Sequence, residues 1–145
     1  MSEIQDIERV GVVGAGTMGS GIAQVAATSG YEVVMRDIEE RLVEQGFDGI
    51  DDSLARLVDS ETLTDDEAQQ ARERITGTTD LDDLADVDLV VEAVVEDVDV
   101  KRSVFADLDD VCRPDVTLAT NTSTISITTI ASATARPEQV VGLHF

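Results

Sequence analysis

Three glycines at fixed spacing are the residues of this chain whose types point most directly to chemistry. Gly14, Gly16 and Gly19 make the pattern G-x-G-x-x-G, which follows an apolar run at residues 10–13 and opens a stretch with helical periodicity. The first glycine permits a tight turn from strand to helix, the second lets backbone N–H groups approach a diphosphate, and the third lets the helix pack close to the strand. In this context the pattern predicts a loop that binds a dinucleotide.

Thr17 and Met18 lie inside this pattern and open the predicted helix. The first N–H groups of a helix have no partner within the helix, and they carry a partial positive charge that suits a phosphate. We therefore place both residues with the three glycines as candidate cofactor-binding residues. The plainer alternative is that the glycines serve only to turn the chain.

A carboxylate at Asp37 favours NAD over NADP. Asp37 ends the next apolar run and lies 18 residues after Gly19 (37 minus 19), close to the spacing of about 20 in dinucleotide-binding folds. In that position it accepts hydrogen bonds from ribose hydroxyls and repels a 2′-phosphate. Arg36 could pair with such a phosphate, but neighbouring side chains of a strand point to opposite faces. The sequence therefore favours NAD, and a solvated strand end is the alternative for Asp37.

Five further polar side chains fall at or near the carboxyl ends of the predicted strands, where such sheets bind ligands. They are Glu96, Lys101, Asn121, Ser123 and His144. Some of them also have an ordinary structural interpretation. The only histidine of the chain lies in an apolar strand, where a core role is common, and the asparagine and serine suit a turn or a helix cap.

Apolar periodicity places these residues on an alternating series of strands and helices. We predict strands at residues 8–13, 31–36, 75–79, 89–95, 116–120 and 140–145, and helices at about residues 17–29, 43–57, 64–74, 100–111 and 126–134. Thr64 and Glu67 match a capping box, and Glu92 is a candidate buried carboxylate with a local partner. Six strands alternating with helices imply an α/β fold, a doubly wound (Rossmann) and mostly parallel sheet, in one domain over residues 1–145.

Charge is the second strong feature of the sequence. The chain has 31 acidic and 10 basic residues, a net charge of −21, and Lys101 is its only lysine. Such a charge excludes nucleic acid as an ordinary partner and destabilises the compact state by self-repulsion at low salt. The acids are dispersed along the chain rather than gathered in a tail. Dispersed acidity with little lysine resembles the proteins of halophiles that accumulate salt, and an ordinary acidic protein is the alternative.

Composition also disfavours several classes of protein. No apolar run approaches the roughly 20 residues that cross a bilayer, so we expect no membrane partner. Residues 1–6 carry no secretory signal, and we expect a cytoplasmic protein. The single cysteine, Cys112, makes no internal disulfide and, with one histidine, no metal site. We expect Cys112 to be a packing residue.

Taken together, the motifs resemble the N-terminal NAD-binding domain of the L-3-hydroxyacyl-CoA dehydrogenases, a family that includes 3-hydroxybutyryl-CoA dehydrogenases. The resemblance covers the whole chain. The matching segments are GAGTMGSGIA at 14–23, the acid at Asp37, VVEAVVED at 90–97 followed by Lys101, NTST at 121–124 and GLHF at 142–145. The spacings between the segments also fit, and the combination is far more specific than the glycine pattern alone.

The resemblance implies NAD-dependent oxidation of a 3-hydroxyacyl-CoA to the 3-oxoacyl-CoA, or the reverse, in fatty-acid metabolism. His144 matches the family's general base, and Ser123 matches the serine that hydrogen-bonds the reacting oxygen. Glu96 and Lys101 match residues near the nicotinamide ribose, and Asn121 lies in the same cofactor-side loop.

The resemblance also implies groups that these 145 residues lack. The family places the histidine's glutamate partner, an asparagine and a helical domain after this point, and that domain closes the acyl-CoA cleft and makes most of the homodimer contact. We therefore expect the chain to bind NAD(H) and to turn over little substrate by itself.

Two other functions compete with this interpretation. One is a dehydrogenase of free 3-hydroxy acids or sugar acids, against which the pair His144-Phe145 argues. The other is a non-catalytic module that binds NAD and senses redox state. The retained Ser123 and His144 argue against that module, because a sensor needs no proton acceptor at the site of hydride transfer.

Overall fold

The computed structural model describes residues 7–122 and 125–143, which form one six-stranded sheet with helices on both faces. The strands in chain order are β1 (Arg9–Val13), β2 (Glu32–Arg36), β3 (Ile75–Thr78), β4 (Leu89–Glu92), β5 (Thr117–Asn121) and β6 (Val140–Leu143). Their order in space is β3-β2-β1-β4-β5-β6, and every neighbouring pair is parallel. The predicted doubly wound α/β sheet is confirmed.

Five α-helices and two short 3-10 helices, Leu81–Leu84 and Pro137–Gln139, lie between the strands in the described part of the chain. The α-helices are numbered in chain order. They are α1 (Thr17–Thr28), α2 (Glu40–Asp59), α3 (Asp65–Glu73), α4 (Val98–Val111) and α5 (Ile127–Ala131). The predicted capping box opens α3, because the Glu67 N–H donates to Thr64 Oγ1 at 3.1 Å and the Thr64 N–H donates to Glu67 Oε1 at 2.9 Å. Among the described helices, none is long and apolar enough to cross a membrane.

Each face of the sheet buries its own apolar cluster, because alternate residues of a strand point to opposite faces. On one face, Val12 and Val33 pack with residues of α1, α2 and α3. On the other face, Val13 and Val90 pack with residues of α4 and α5. Three helices on one face and two on the other make the three-layer arrangement of a doubly wound fold.

The order of the strands reverses between β1 and β4, which are neighbours in space but far apart in sequence. In open parallel sheets, ligands bind in the crevice that opens outside the carboxyl ends of the strands at this reversal. The loops that follow β1 and β4 border that crevice. The fold therefore places the glycine pattern and Glu96 on the same edge of the sheet.

Gly46 explains why a helix with two internal glycines is stable here. A Cβ on Gly46 would lie 2.8 Å from the Ala15 carbonyl oxygen and 3.0 Å from Met35 Cε, so only glycine lets α2 lie this close to the sheet. Glycine in a helix costs about 1 kcal/mol relative to alanine. The α2 helix nevertheless runs without interruption through Gly46 and Gly49, because tertiary packing outweighs the local penalty.

Two predicted elements are shorter than expected. The strand predicted at 89–95 ends at Glu92, where the Glu92 carboxylate accepts the Val94 N–H at 2.7 Å and bends the chain away from the sheet. The helix predicted at 126–134 is only Ile127–Ala131, because the following residues tighten into a turn in which the Thr134 N–H donates to the Ala131 carbonyl.

Candidate cofactor site

The loop between β1 and α1 has the geometry that its glycines predict. Gly14 has a φ of +111°, which favours glycine, and a Cβ there would lie 2.6 Å from the Ala93 carbonyl oxygen. A Cβ on Gly19 would overlap the carbonyl oxygen of Gly14. A Cβ on Gly16, by contrast, would meet no atom within 4 Å. The loop is tightly packed on its protein side and open at Gly16, as a cradle for a diphosphate requires.

The N-terminus of α1 borders this open space and carries no acidic residue. The N-cap residue is Gly16, so no side chain caps the N–H groups at the start of the helix. Thr17 and Met18 are the first residues of the helix and are exposed. None of the residues Thr17–Thr28 is charged, whereas α2, α3 and α4 all have acids in their first turns. An acid in that position would repel a phosphate, so α1 keeps the partial positive charge that attracts one.

Asp37 follows β2 and is tied to the glycine loop. Its Oδ2 accepts the Ala15 N–H at 2.8 Å, and its Oδ1 accepts the Ile38 N–H at 2.7 Å. An ionised carboxylate accepts about four hydrogen bonds, which leaves capacity for the hydroxyls of a ribose. Arg36 donates its Nε to the Thr79 carbonyl at 3.1 Å, on the side of β3. The residues at this strand end therefore suit NAD.

A groove of about 340 Å³ joins the glycine loop to Asp37 and to the chain that follows β4. Its walls are largely apolar, and two exposed side chains flank it, with Ile38 69% and Val95 68% exposed. The lining residues are Val13, Gly14, Ala15, Gly16, Arg36, Asp37, Ile38, Leu42, Gln45, Ala93, Val94, Val95, Val100 and Val104. An apolar slot beside one oriented carboxylate suits a planar base attached to a ribose.

Glu92 and Lys101 form a buried ion pair under the carboxyl ends of β4 and β5. Their side chains have no exposed surface, and Lys101 Nζ donates to Glu92 Oε2 at 2.6 Å. The hydroxyl of Thr120 donates to Glu92 Oε1 at 2.6 Å. The expectation that Glu92 is a buried carboxylate with a local partner is confirmed. Lys101 lies beneath the site surface, where its Nζ contacts Glu92, Glu96 and the carbonyl oxygens of Val94 and Asn121.

Glu96 and Asn121 lie above this pair, at the ends of β4 and β5. Glu96 is 41% exposed, and its Oε1 lies 3.7 Å from Lys101 Nζ and accepts the hydroxyl of Thr122 at 2.6 Å. The Asn121 carbonyl oxygen lies 3.5 Å from the same Nζ. The structure therefore brings Glu96, Lys101 and Asn121 together, as their positions after neighbouring parallel strands predict.

The two predicted catalytic residues, Ser123 and His144, lie outside the described residues, so their roles remain predictions. The sequence also gave no reason to single out Thr120, whose hydroxyl completes the environment of Glu92. The register of the sheet reveals this partner, because Thr120 is the β5 residue directly opposite Glu92 of β4.

Cys112 is buried, and its Sγ lies 3.7 Å from the Leu84 carbonyl oxygen. Burial raises the pKa of the Cys112 thiol, which disfavours the thiolate that a nucleophile needs. Its environment fits the expected packing role. Across residues 7–122 and 125–143, no group of three histidine, cysteine or acidic side chains is placed to hold a metal ion.

The sheet order, the glycine loop and the oriented carboxylate define the dinucleotide-binding α/β class of domains. Residues 9–145 match the family described as 3-hydroxyacyl-CoA dehydrogenase, NAD binding domain. The chain belongs to this family, and NAD is the cofactor that this domain of the family binds.

Curated proteins and solved structures agree with this assignment. The chain is 51% identical to a 3-hydroxybutyryl-CoA dehydrogenase of Mycobacterium tuberculosis over 96% of its own length and 49% of the relative's. It is 46% identical to one from Bradyrhizobium diazoefficiens over 96% of the chain and 47% of the relative. The crystal structure of (S)-3-hydroxybutyryl-CoA dehydrogenase PaaH1 from Ralstonia eutropha superposes with a TM-score of 0.94 at 44% identity, covering 97% of this chain and 50% of that one. The chain thus spans about half the length of these relatives.

Proposed function

We propose that this chain is the NAD-binding part of an enzyme that oxidises 3-hydroxyacyl-CoA to 3-oxoacyl-CoA, or catalyses the reverse reaction. The observation that carries the proposal is the family match over residues 9–145 together with an intact glycine loop joined to Asp37. The relatives with which it shares up to 51% identity are named as 3-hydroxybutyryl-CoA dehydrogenases. Acyl-CoA is therefore the proposed substrate class.

Each group of the site has a distinct role in this proposal. The N-terminus of α1 and the open face at Gly16 receive the diphosphate, and Asp37 accepts the hydroxyls of the adenosine ribose. Glu96 and Asn121 bind at the nicotinamide half. When bound, NAD⁺ supplies the acceptor for the hydride that leaves C3 of the substrate. His144 takes the proton of the C3 hydroxyl, and Ser123 donates a hydrogen bond to the same oxygen.

A fluorescence titration with NADH tests the cofactor part of the proposal, in multi-molar KCl and with NADPH as the competing ligand. We expect saturable binding of NADH and much weaker binding of NADPH, because Asp37 repels the 2′-phosphate. In the Asp37→Ser variant, the dissociation constants of NADH and NADPH should lie closer together than in the wild type. Equal affinity of the folded wild-type chain for both ligands would contradict the assignment of Asp37.

A chimera tests the reaction. Residues 1–145 are fused to the C-terminal half of the M. tuberculosis relative, and NADH formation from 3-hydroxybutyryl-CoA is measured. We expect turnover by the chimera and little turnover by the unfused chain, which spans only about half of that relative. His144→Gln in the chimera should abolish turnover and leave NADH affinity unchanged. A chimera that binds NADH and retains turnover with His144→Gln would refute the role of His144.

We also propose a halophilic, salt-accumulating cytoplasm as the setting and a homodimer as the complete enzyme. The setting is supported by the net charge of −21 and the single lysine, since high salt screens the self-repulsion of such a surface. The homodimer follows from the family resemblance. The thermal unfolding midpoint should rise steeply with KCl, and light scattering of the chimera should give twice its chain mass.

A further inference from the structure

The chain keeps a single lysine and buries it. Every other basic residue in the chain, apart from His144, is arginine, and the Lys101 side chain has no exposed surface. Its partner Glu92 is equally buried. Both charges have left water completely, although most acids among the described residues are exposed to solvent.

The pair is fully provided with hydrogen bonds. Glu92 Oε2 accepts from Lys101 Nζ at 2.6 Å and from the Val94 N–H at 2.7 Å, and Oε1 accepts from the Thr120 hydroxyl at 2.6 Å. From its other side, Nζ lies 3.5 Å from the carbonyl oxygens of Val94 and Asn121. One ammonium group thus lies between the ends of β4 and β5, the loop after β4, and α4.

Stability alone does not account for such a pair. Removing two charges from water costs about as much as their attraction returns, and apolar side chains of similar volume often replace a buried ion pair without loss of stability. The preceding residues of β4, Val90 and Val91, are apolar and buried. A valine or leucine at position 92 would continue that pattern. The reason for keeping the pair therefore lies in the groups that it holds in place directly above it.

The groups above the pair belong to the cofactor site. Lys101 Nζ is 3.7 Å from the Glu96 carboxylate and 3.5 Å from the backbone oxygen of Asn121. In this fold the two mononucleotide halves lie on either side of the strand-order reversal. Asp37 and β2 therefore serve the adenosine half, and the ends of β4 and β5 serve the nicotinamide half.

We propose that Glu92 is a positioning residue for NAD, because it anchors the Lys101 ammonium that sets Glu96 and Asn121 at the nicotinamide half of the site. This inference rests on the NAD-binding function proposed above. Without the Glu92 charge, the ammonium has Glu96 as its nearest carboxylate and draws it away from the Thr122 hydroxyl. The groove beside Asp37 also includes Val94, whose N–H donates to Glu92. A glutamine at position 92 keeps an oxygen that can accept this N–H, so the adenosine half should stay intact when only the Glu92 charge is removed.

The test compares two ligands in Glu92→Gln, which keeps the side-chain shape and removes the charge. NADH contains both halves of the cofactor, and ADP contains the adenosine and diphosphate but lacks the nicotinamide ribose. We expect the NADH dissociation constant to rise about tenfold, as for the loss of a charged hydrogen bond, and that of ADP to stay the same. NADH is titrated by fluorescence and ADP by calorimetry.

Two further variants separate positioning from folding. Thr120→Val removes one hydrogen bond to Glu92 and keeps both charges, so it should fold and show a smaller loss for NADH only. Asp107→Asn, on the exposed face of α4, removes an equal charge and should change neither affinity. If the folded Glu92 and Thr120 variants lose affinity for both ligands equally, or for neither, the inference is wrong. If the wild-type chain itself fails to bind NADH, the proposed function has failed instead.

Discussion

At the scale of single residues, two glycines of the same loop differ in what a methyl group would meet. On Gly19 a methyl group would overlap the Gly14 carbonyl oxygen, which belongs to the rigid backbone of the loop. On Gly16 it would project into open space, at a backbone φ of −71° that alanine adopts readily. The first position therefore serves folding, and the second leaves the open space in which we propose that the diphosphate lies.

We predict opposite consequences for the two alanine substitutions. Gly19→Ala should lower the free energy of unfolding by about 2 kcal/mol or more, as overpacking does. Gly16→Ala should leave it unchanged or raise it by about 0.5 kcal/mol, yet weaken NADH binding at least tenfold by occupying the diphosphate space. Urea unfolding and NADH titration measure the two effects. A Gly16→Ala chain that binds NADH like the wild type would show that the diphosphate lies elsewhere.

At the residue level, the sequence predicted the local geometry of the glycine loop. Gly14 is required by a turn and Gly19 by a close contact within the same short segment, so their spacing between an apolar run and a helical pattern predicted them. The partnership of Glu92, Lys101 and Thr120 depends instead on parallel pairing of β4 with β5 and on the packing of α4. No sequence pattern encodes these contacts, because they join segments up to 28 residues apart.

At the scale of elements, one arginine holds the C-terminus of α4 to the chain before β6. Arg136 is buried, and its guanidinium makes five hydrogen bonds. Four go to the carbonyl oxygens of Asp109, Cys112, Arg113 and Val116, and the fifth joins Nε to Asp109 Oδ1 at 2.6 Å. The last carbonyls of a helix have no partner within it, and here a single side chain satisfies several of them.

The contacts of Arg136 with Asp109 and the neighbouring carbonyls form a clamp, and the Asp109 carboxylate makes the free energy of unfolding depend on pH. Burial by itself raises the pKa of Asp109, but the Ala135 N–H and the Arg136 guanidinium outweigh it and hold the pKa below its ordinary value of 3.8. A carboxylate whose pKa is lower in the folded state than in the unfolded state stabilises the fold at pH values above its unfolded-state pKa. This stabilisation is lost as the pH falls through the folded-state pKa.

We therefore predict that Asp109→Asn lowers the free energy of unfolding by about 2 kcal/mol near neutral pH. The difference in unfolding free energy between this variant and the wild type should be constant down to about pH 5 and shrink below about pH 4. Chemical unfolding at a series of pH values measures it. Asp107→Asn, exposed on the same helix, is the control, and a difference that stayed constant into strong acid would argue against the clamp.

The order of elements followed from periodicity, but their ends did not. Every strand and helix predicted from apolar spacing has a counterpart within the described residues. The boundaries moved where a side chain competes with the backbone ladder, as Glu92 does at the end of β4. The turn after α2 was not predicted either, because its left-handed position, with a φ of +61°, is occupied by Glu61 instead of a glycine, which would have indicated a turn.

At the scale of the whole molecule, a chain with a net charge of −21 binds an anion. Long-range repulsion opposes the approach of the cofactor, while the uncharged α1 provides a local exception at the proposed position of the diphosphate. Salt screens the long-range part: the Debye length falls from about 10 Å at 0.1 M to about 3 Å at 1 M. The short-range hydrogen bonds of the loop are screened much less. Salt should therefore strengthen binding, the reverse of its effect on anion sites in basic proteins.

The last prediction uses the charge of the ligand to isolate this effect. NADH carries one more negative charge than NAD⁺, because its nicotinamide ring is neutral. Its association constant should therefore rise more steeply with KCl than that of NAD⁺, over a range in which circular dichroism shows the chain folded. Sucrose at equal osmolality should leave both constants unchanged, because it stabilises the fold by exclusion and screens no charge. If both affinities fell with salt, or rose equally in sucrose, local attraction or folding would govern binding instead of the net charge.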